Sequence, residues 1–171
     1  MAARVFIGIG SNIDPARHVG QALTLLTQHL TLTGLSTLYQ TRPVGRPDQD
    51  LYYNGVCMGT TGLTPVKLHH VLRTLEKQLG RRRTADRFAA RTIDLDLLLH
   101  DRCVMNHDGL ILPNPDITLR AFVCLPLLEL DSELTMPDSG ARLAAIAGQL
   151  DCSDMSPLPD YTRHLKETLS L

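Results

Sequence analysis

Ile93-Asp94-Leu95-Asp96-Leu97-Leu98-Leu99 carries the clearest period in the chain. Side chains of a strand alternate between its two faces. The run therefore predicts a strand from Ile93 to His100, with Ile93, Leu95, Leu97 and Leu99 directed into a core. Asp94 and Asp96 then stand side by side on the opposite face. Upstream, Arg81 to Arg91 is polar and arginine-rich and reads as a loop. Before it, Thr64-Pro65 opens a helix whose apolar stripe is Leu68, Leu72, Leu75 and Leu79, and Gly80 ends it.

Further upstream, Tyr52 to Thr60 is a predicted strand, Arg42 to Asp50 a proline-bearing loop, and Leu35 to Gln40 another strand. Arg4 to Ile9 is a buried strand with Gly10-Ser11-Asn12 as the turn out of it. Asp14 is expected to cap a helix with Pro15 at its first position and Val19, Leu23, Leu26 and Leu30 as its stripe, the unit ending at Gly34. Downstream, Pro113 to Leu119 is irregular and Phe122 to Leu130 is helical, starting near Pro126 or kinked there. Leu143 to Leu150 suits one more short helix. The order strand-helix-strand, strand-helix-strand is a split βαβ repeat. It predicts a ferredoxin-like α+β domain over residues 1–171, with a four-stranded antiparallel sheet and flanking helices. Residues 151–171 form a polar C-terminal extension without an assigned role.

Composition narrows the function. With 43% hydrophobic and 20% charged residues, the 171-residue chain is of the globular class. A net charge of −1 gives no overall field to recruit nucleic acid or anionic lipid, so any basic site is local. Cys57, Cys103, Cys124 and Cys152 include no C-x-x-C pair and read as small apolar residues in a reducing compartment. The apolar run Val5 to Ile9 is too short for a signal or membrane segment. A cytoplasmic protein is expected, monomeric or weakly self-associating.

Two carboxylates held together on one strand face repel unless a proton or cation separates them. Their hard oxygens suit Mg²⁺, which takes one or two protein carboxylates and completes its shell with phosphate and water. Alone, the pair is a weak signal, and a solvated strand face carrying two acids is the better reading. Arg81, Arg82, Arg83, Arg87 and Arg91 lie just before it, and guanidinium forks match phosphate oxygens. Cations beside a carboxylate-bound metal form the two halves of a polyphosphate site. The competing reading pairs these arginines with Asp86, Asp94 and Asp96. No G-x-x-x-x-G-K-[ST] motif occurs, and Gly8-Ile9-Gly10 lacks the spacing of a dinucleotide fingerprint; it reads as a strand end that something approaches closely. The loop, poor in large anchors, is expected to move when nucleotide binds. Tyr52 and Asn54 share a strand face and offer a flat surface with an amide partner, suited to a planar heterocycle. Phe122, after Arg120, offers a second wall.

Together these segments resemble the 6-hydroxymethyl-7,8-dihydropterin pyrophosphokinase family from about Val5 to about Leu130. The strongest match is Arg87-Phe88-Ala89-Ala90-Arg91-Thr92-Ile93-Asp94-Leu95-Asp96-Leu97-Leu98. Ile9-Gly10-Ser11-Asn12, Tyr39-Gln40-Thr41, Tyr52-Tyr53-Asn54 and Arg120-Ala121-Phe122-Val123 with Pro126-Leu127 support it in the same order. The resemblance implies transfer of pyrophosphate from ATP to a pterin hydroxymethyl group, with release of AMP. It implies Asp94 and Asp96 as ligands of two Mg²⁺ ions, and Arg81 and Arg91 as the loop arginines that grip phosphate. It further implies Arg83, Arg87, Arg120 and the Asn114 position as ATP contacts, and Thr41, Pro43, Val44, Tyr52, Asn54, Phe88 and Phe122 as the pterin pocket.

The chain departs from the family pattern at three places. Phe88 stands where tryptophan is usual, Ala89-Ala90 where Gly-Pro is common, and Asn114-Pro115 where His-Pro is usual. Two other classes compete: a nucleotide- or pterin-binding regulator without turnover, and an RNA-binding module of the same fold. The second needs exposed aromatics on a basic sheet face, where this chain carries Asp94 and Asp96. A modified pterin is a third possibility, as an alternative acceptor for the same chemistry.

Overall fold

The computed structural model describes residues 1–171. The first strand, β1 (Ala3–Ser11), lies between β4 (Tyr52–Thr61) and β5 (Asp94–His100), antiparallel to both. β3 (Tyr39–Thr41) and a two-residue β8 (Ser156–Pro157) extend the sheet beyond β4, and β2 (Thr31–Leu35) pairs with the far end of β4. The predicted four-stranded sheet is thus a six-stranded one. The predicted strand Leu35 to Gln40 resolves into two, and Gly34 lies inside β2 rather than ending the unit. Ser36 explains the break: its backbone N–H and its side-chain oxygen both bond Val56, at 2.9 Å each, bending the chain between β2 and β3.

Helix α1 (Pro15–Leu26) and helix α2 (Pro65–Gln78) pack on one face. Val5, Ile7, Ile9, Leu95 and Leu97 of the sheet meet Val19, Leu23 and Leu26 of α1 and Leu68, Leu72 and Leu75 of α2. Burying each such side chain contributes roughly 2 kcal/mol. Thr64 caps α2 as expected, its hydroxyl accepting from the Lys67 N–H at 3.4 Å. Asp14 does not cap α1. Its backbone is left-handed (φ 45°), and its carboxylate turns instead to Arg17 at 2.5 Å.

The hairpin β6 (Met105–His107) and β7 (Leu110–Leu112) leads to α3 (Asp116–Leu119), α4 (Ala121–Leu130) and α5 (Leu143–Ala147) on the other face. Pro126 lies inside α4, which begins at Ala121 rather than at the proline. Ile117, Cys124, Leu127 and Leu143 cover Phe6, Val56, Leu98 and Leu99 there. Leu99 was expected beside Leu95 and Leu97. A register shift in the β1–β5 pairing, where Phe6 faces Leu99 but Ile7 faces Leu97, is a bulge that sends Leu98 and Leu99 to the same side.

Residues 151–171, left without a role in the sequence, close the far edge of the sheet. β8 pairs with β3, and α6 (Pro159–Leu169) docks behind it. The Leu158 N–H donates to the Leu38 carbonyl at 2.8 Å, the Leu38 N–H to Thr162 Oγ1 at 2.9 Å, and the Tyr161 hydroxyl to the Ala16 carbonyl at 2.6 Å. Leu165 enters the core. Cys57 and Cys124 are buried, as small apolar residues should be, whereas Cys152 is exposed. No helix is long and apolar enough to cross a membrane.

Candidate active site

The α3–α5 layer covers only part of its sheet face, and the site lies on the part left open. Register sets its floor: Gly10 stands between Asn54 of β4 and Asp94 of β5, and Gly8 between Val56 and Asp96. Neighbouring strands are about 4.8 Å apart, so each glycine leaves a trough between a β4 side chain, Asn54 or Val56, and a carboxylate of β5. A Cβ on Gly10 would fall 2.8 Å from Asn54 Oδ1 and 3.8 Å from Tyr52 Cδ1. The close approach expected at Gly8-Ile9-Gly10 is thus to side chains of the site itself.

A cleft of about 330 Å³ rises from this floor. Tyr52, Asn54, Val44, Phe88 and Phe122 line it with Asp94, Asp96 and Arg91, and Arg42, Arg87, Asp116 and Arg120 stand around them. Asn54 is buried and donates to Thr41 Oγ1 at 2.7 Å. Thr41 therefore sits behind Asn54 and fixes which edge its amide presents. Burial raises the Tyr52 phenol above its ordinary range. Arg87 stacks over the Phe88 ring, its guanidinium carbon 4.7 Å from the centroid.

A second, polar cleft of about 240 Å³ adjoins the first and is lined by Arg73, Arg81, Arg82, Arg83, Arg87 and Arg91. Asp94, Asp96, Arg87 and Arg91 belong to both clefts. The acidic pair thus stands where an aromatic-walled slot meets an arginine-lined one.

Helix α2 ends in a Schellman motif: the Gly80 N–H reaches the Lys77 carbonyl and the Arg81 N–H the Glu76 carbonyl, each at 3.0 Å, with Gly80 at φ 85°. This cap folds Arg81 back so that its Nη1 lies 2.7 Å from Glu76 and 2.5 Å from Asp94 Oδ1. Arg91 Nη1 takes the other oxygen, Asp94 Oδ2, at 2.5 Å. Arg73 Nη2 approaches Asp96 Oδ1 at 3.4 Å. Burial works against the Asp94 charge, but the guanidiniums of Arg81 and Arg91 outweigh it and hold this carboxyl below the usual range. Burial, and then the neighbouring charge of Asp94, push the Asp96 carboxyl up.

Glu76 was not singled out in the sequence, yet it is the hub of this network. Its carboxylate, 2% exposed, accepts from Arg73 Nη1 at 2.9 and 3.0 Å, from Arg81 Nη1 at 2.7 Å and from Arg83 Nη2 at 3.0 Å. It also accepts from the Leu95 N–H at 2.9 Å. β5 is an edge strand, so this amide has no ladder partner, and Glu76 supplies one. The pairing of loop arginines with local carboxylates therefore occurs, with Glu76 and Asp94 as the main acceptors. Asp86 pairs with Arg46 of the preceding loop instead.

Asn12, read along the chain only as part of a turn and of the Ile9–Asn12 resemblance, holds two loops together. It is buried, its Oδ1 accepts from the Arg91 N–H at 2.8 Å, and its Nδ2 donates to Gln49 Oε1 at 3.1 Å. Gln49 Nε2 donates in turn to the Phe88 carbonyl at 2.9 Å. Only its place directly after a glycine turn hinted at such a role. Among the residues named from sequence, Thr41, Pro43 and Asn114 line neither cleft. The Asn114 side chain accepts from the Asp116 N–H at 2.9 Å and so starts α3.

The donor set fits a hard divalent cation. Asp94 and Asp96 are 20% and 36% exposed, share a face and open onto both clefts, and Mg²⁺ needs no more protein ligands than these when phosphate completes its shell.

A model of the 7,8-dihydro-6-hydroxymethylpterin-pyrophosphokinase (HPPK) family matches residues 6–132. The 2-amino-4-hydroxy-6-hydroxymethyldihydropteridine pyrophosphokinase of Bacillus subtilis is 40% identical over 140 residues, covering 80% of this chain and 83% of its own. The protein of the same name from Pseudomonas aeruginosa is 35% identical over 162 residues, covering 93% of this chain and 99% of its own. The folic acid synthesis protein fol1 of Pneumocystis carinii is 32% identical over 156 residues, 90% of this chain, but the chain spans only 21% of that protein. The crystal structure of wild-type Plasmodium falciparum HPPK-DHPS with pterin and p-hydroxybenzoate superposes with a TM-score of 0.71 at 13% identity. It covers 100% of this chain and 45% of that one, a likeness of fold.

Proposed function

The chain belongs to the HPPK family, and from that membership we propose that it transfers pyrophosphate from ATP to the hydroxymethyl group of 6-hydroxymethyl-7,8-dihydropterin. The observation that carries this reading is the position of Asp94 and Asp96 between an aromatic-walled slot and an arginine-lined one. Tyr52, Phe88 and Phe122 sandwich the planar acceptor, and Asn54, held by Thr41, reads its amide-like edge. Arg83, Arg87, Arg91 and Arg120 face the triphosphate. Asn114 acts on the nucleotide side through the turn it caps.

Asp94 and Asp96 would hold Mg²⁺, which when bound would supply charge neutralisation for the polyphosphate. The acceptor hydroxyl oxygen bonds to the β-phosphorus, the bond from that phosphorus to the α,β-bridging oxygen breaks, AMP leaves and the hydroxyl proton passes to solvent. The protein's part is positioning and charge neutralisation. Arg81 and Arg91 occupy both oxygens of Asp94. On this reading the 81–91 loop rearranges when nucleotide binds, Arg81 and Arg91 passing from Asp94 to the phosphates, so that Asp94 would be free to ligate a cation.

Incubation with Mg²⁺, ATP and the pterin alcohol, with AMP and ADP separated chromatographically, tests the reading. AMP appearing in step with pterin consumption is expected. Nucleotide binding without AMP would instead identify a binding protein of the same fold.

Gly10 offers a narrower test. A Cβ there meets Asn54, which cannot swing away because Thr41 holds it. Gly10→Ala is expected to raise KM for the pterin about tenfold while changing nucleotide affinity little, the cost of displacing one buried hydrogen-bonded amide. Steady-state kinetics with each substrate varied in turn distinguish this from a general loss of folding.

A further inference from the structure

The arginines around the two clefts fall into three groups: one pairs with the acidic network, Arg120 pairs with Asp116 at 3.9 Å, and Arg42, Arg82 and Arg87 pair with no carboxylate. Arg73, Arg81, Arg83 and Arg91 are ion-paired with Glu76, Asp94 or Asp96. Arg42 lines the aromatic-walled cleft and has no carboxylate within ion-pair distance. It is the one cation of that cleft supplied by the loop behind the acceptor pocket. Its chain neighbour Thr41 is buried, bonds Asn54, and stands opposite Tyr52 in the β3–β4 pairing. The base of Arg42 is therefore anchored to the two residues that frame the acceptor, while its guanidinium is exposed and uncommitted.

A neutral planar alcohol gains little from an unpaired cation. The same molecule after transfer carries a diphosphate with several negative charges, for which a guanidinium fork is the natural partner. Resting on the pyrophosphokinase reading above, we propose that Arg42 is a specificity-determining residue that binds the diphosphate of the pterin product and discriminates it from the pterin alcohol. Arg42 thereby sets how long the product stays in the cleft after AMP has formed.

The test compares wild type, Arg42→Gln and Arg42→Lys by calorimetric titration of three ligands: the pterin diphosphate product, the pterin alcohol, and a non-hydrolysable ATP analogue with Mg²⁺. Loss of one partly exposed charge-assisted contact is expected to weaken product binding roughly tenfold in Arg42→Gln. Alcohol affinity stays unchanged, Arg42→Lys recovers part of the loss, and the salt dependence of product binding becomes shallower in Arg42→Gln. Equal weakening of product and alcohol would make Arg42 a packing residue of its loop and overturn the proposal. So would weakening confined to the ATP analogue, or no change with any ligand. If the wild type makes no AMP, the underlying pyrophosphokinase reading fails instead, and the AMP assay separates the two failures.

Discussion

Asp94→Ala and Asp96→Ala are each expected to lower the rate of AMP formation by about a thousandfold or more. Each variant removes a carboxylate that holds the charge-neutralising metal between the two clefts, a change worth several kcal/mol of transition-state stabilisation. The two differ in what they do to the fold. Asp94 is the shared acceptor of Arg81 and Arg91, so Asp94→Ala leaves two guanidiniums without their carboxylate and costs about 1–2 kcal/mol of stability, between the values typical of exposed and of fully buried pairs. Asp96 is the opposite case. Burial and the charge of Asp94 push its carboxyl up, so the unfolded chain gives up this proton at lower pH than the folded one.

An Asp whose folded-state value is raised stabilises only while it holds its proton, and the benefit drains away as pH rises. Asp96→Asn is therefore expected to match the wild type below about pH 4 and to be more stable by about 1 kcal/mol at pH 8, after allowance for the partial exposure of the side chain. Urea denaturation at the two pH values, beside a single-turnover AMP assay, checks both halves. Near-normal AMP formation by either alanine variant would remove the metal assignment. An Asp96→Asn protein less stable than wild type at pH 8 would show that the carboxylates do not oppose each other.

The second large effect lies in a residue that touches neither substrate slot in the family resemblance. Glu76→Ala is expected to destabilise the free protein by about 3 kcal/mol, the usual cost of removing one partner from a buried ionic network. The loss has two parts. Three arginines lose their acceptor, and the Leu95 N–H on the open edge of β5 loses its partner. Glu76→Gln keeps an acceptor for that amide but not the charge, so it should fall between Ala and wild type. Because Arg81 also contacts Glu76, both variants should let the 81–91 loop exchange its amide hydrogens faster. Chemical denaturation gives the first quantity and hydrogen exchange the second. A loss under about 0.5 kcal/mol for Glu76→Ala would mean that solvent takes over its contacts at no cost.

Much of the site was legible along the chain because its parts are local. Asp94 and Asp96 are two apart on a strand, which alone puts them on one face, and Thr64-Pro65 with Gly80 marks both ends of the helix that delivers Arg81. Tyr52 and Asn54 share a face for the same reason and do line the cleft. The roles of Glu76 and Asn12 were not legible. Glu on the polar side of a helix, or Asn in a turn, is ordinary in sequence. Their roles arise only because α2 lies along the unpaired edge of β5 and because two loops distant in sequence meet over Asn12.

The same division runs through the fold. Alternation, helical periodicity and glycine stops determined six main elements, α1, α2, α4, β1, β4 and β5, together with the acidic face, since each depends on neighbours within a few residues. Tertiary structure decided what depends on distant partners. The bulge that turns Leu99 away from Leu97 exists only in the pairing with β1. The C-terminal segment gains β8 and α6 only because the edge of β3 and the flank of α1 are there to receive them. Whether Asp94 meets a solvent shell or two guanidiniums was likewise settled by the Schellman turn that folds Arg81 back over the strand. Sequence periodicity tells a side chain which face it occupies, and only packing decides what stands across from it.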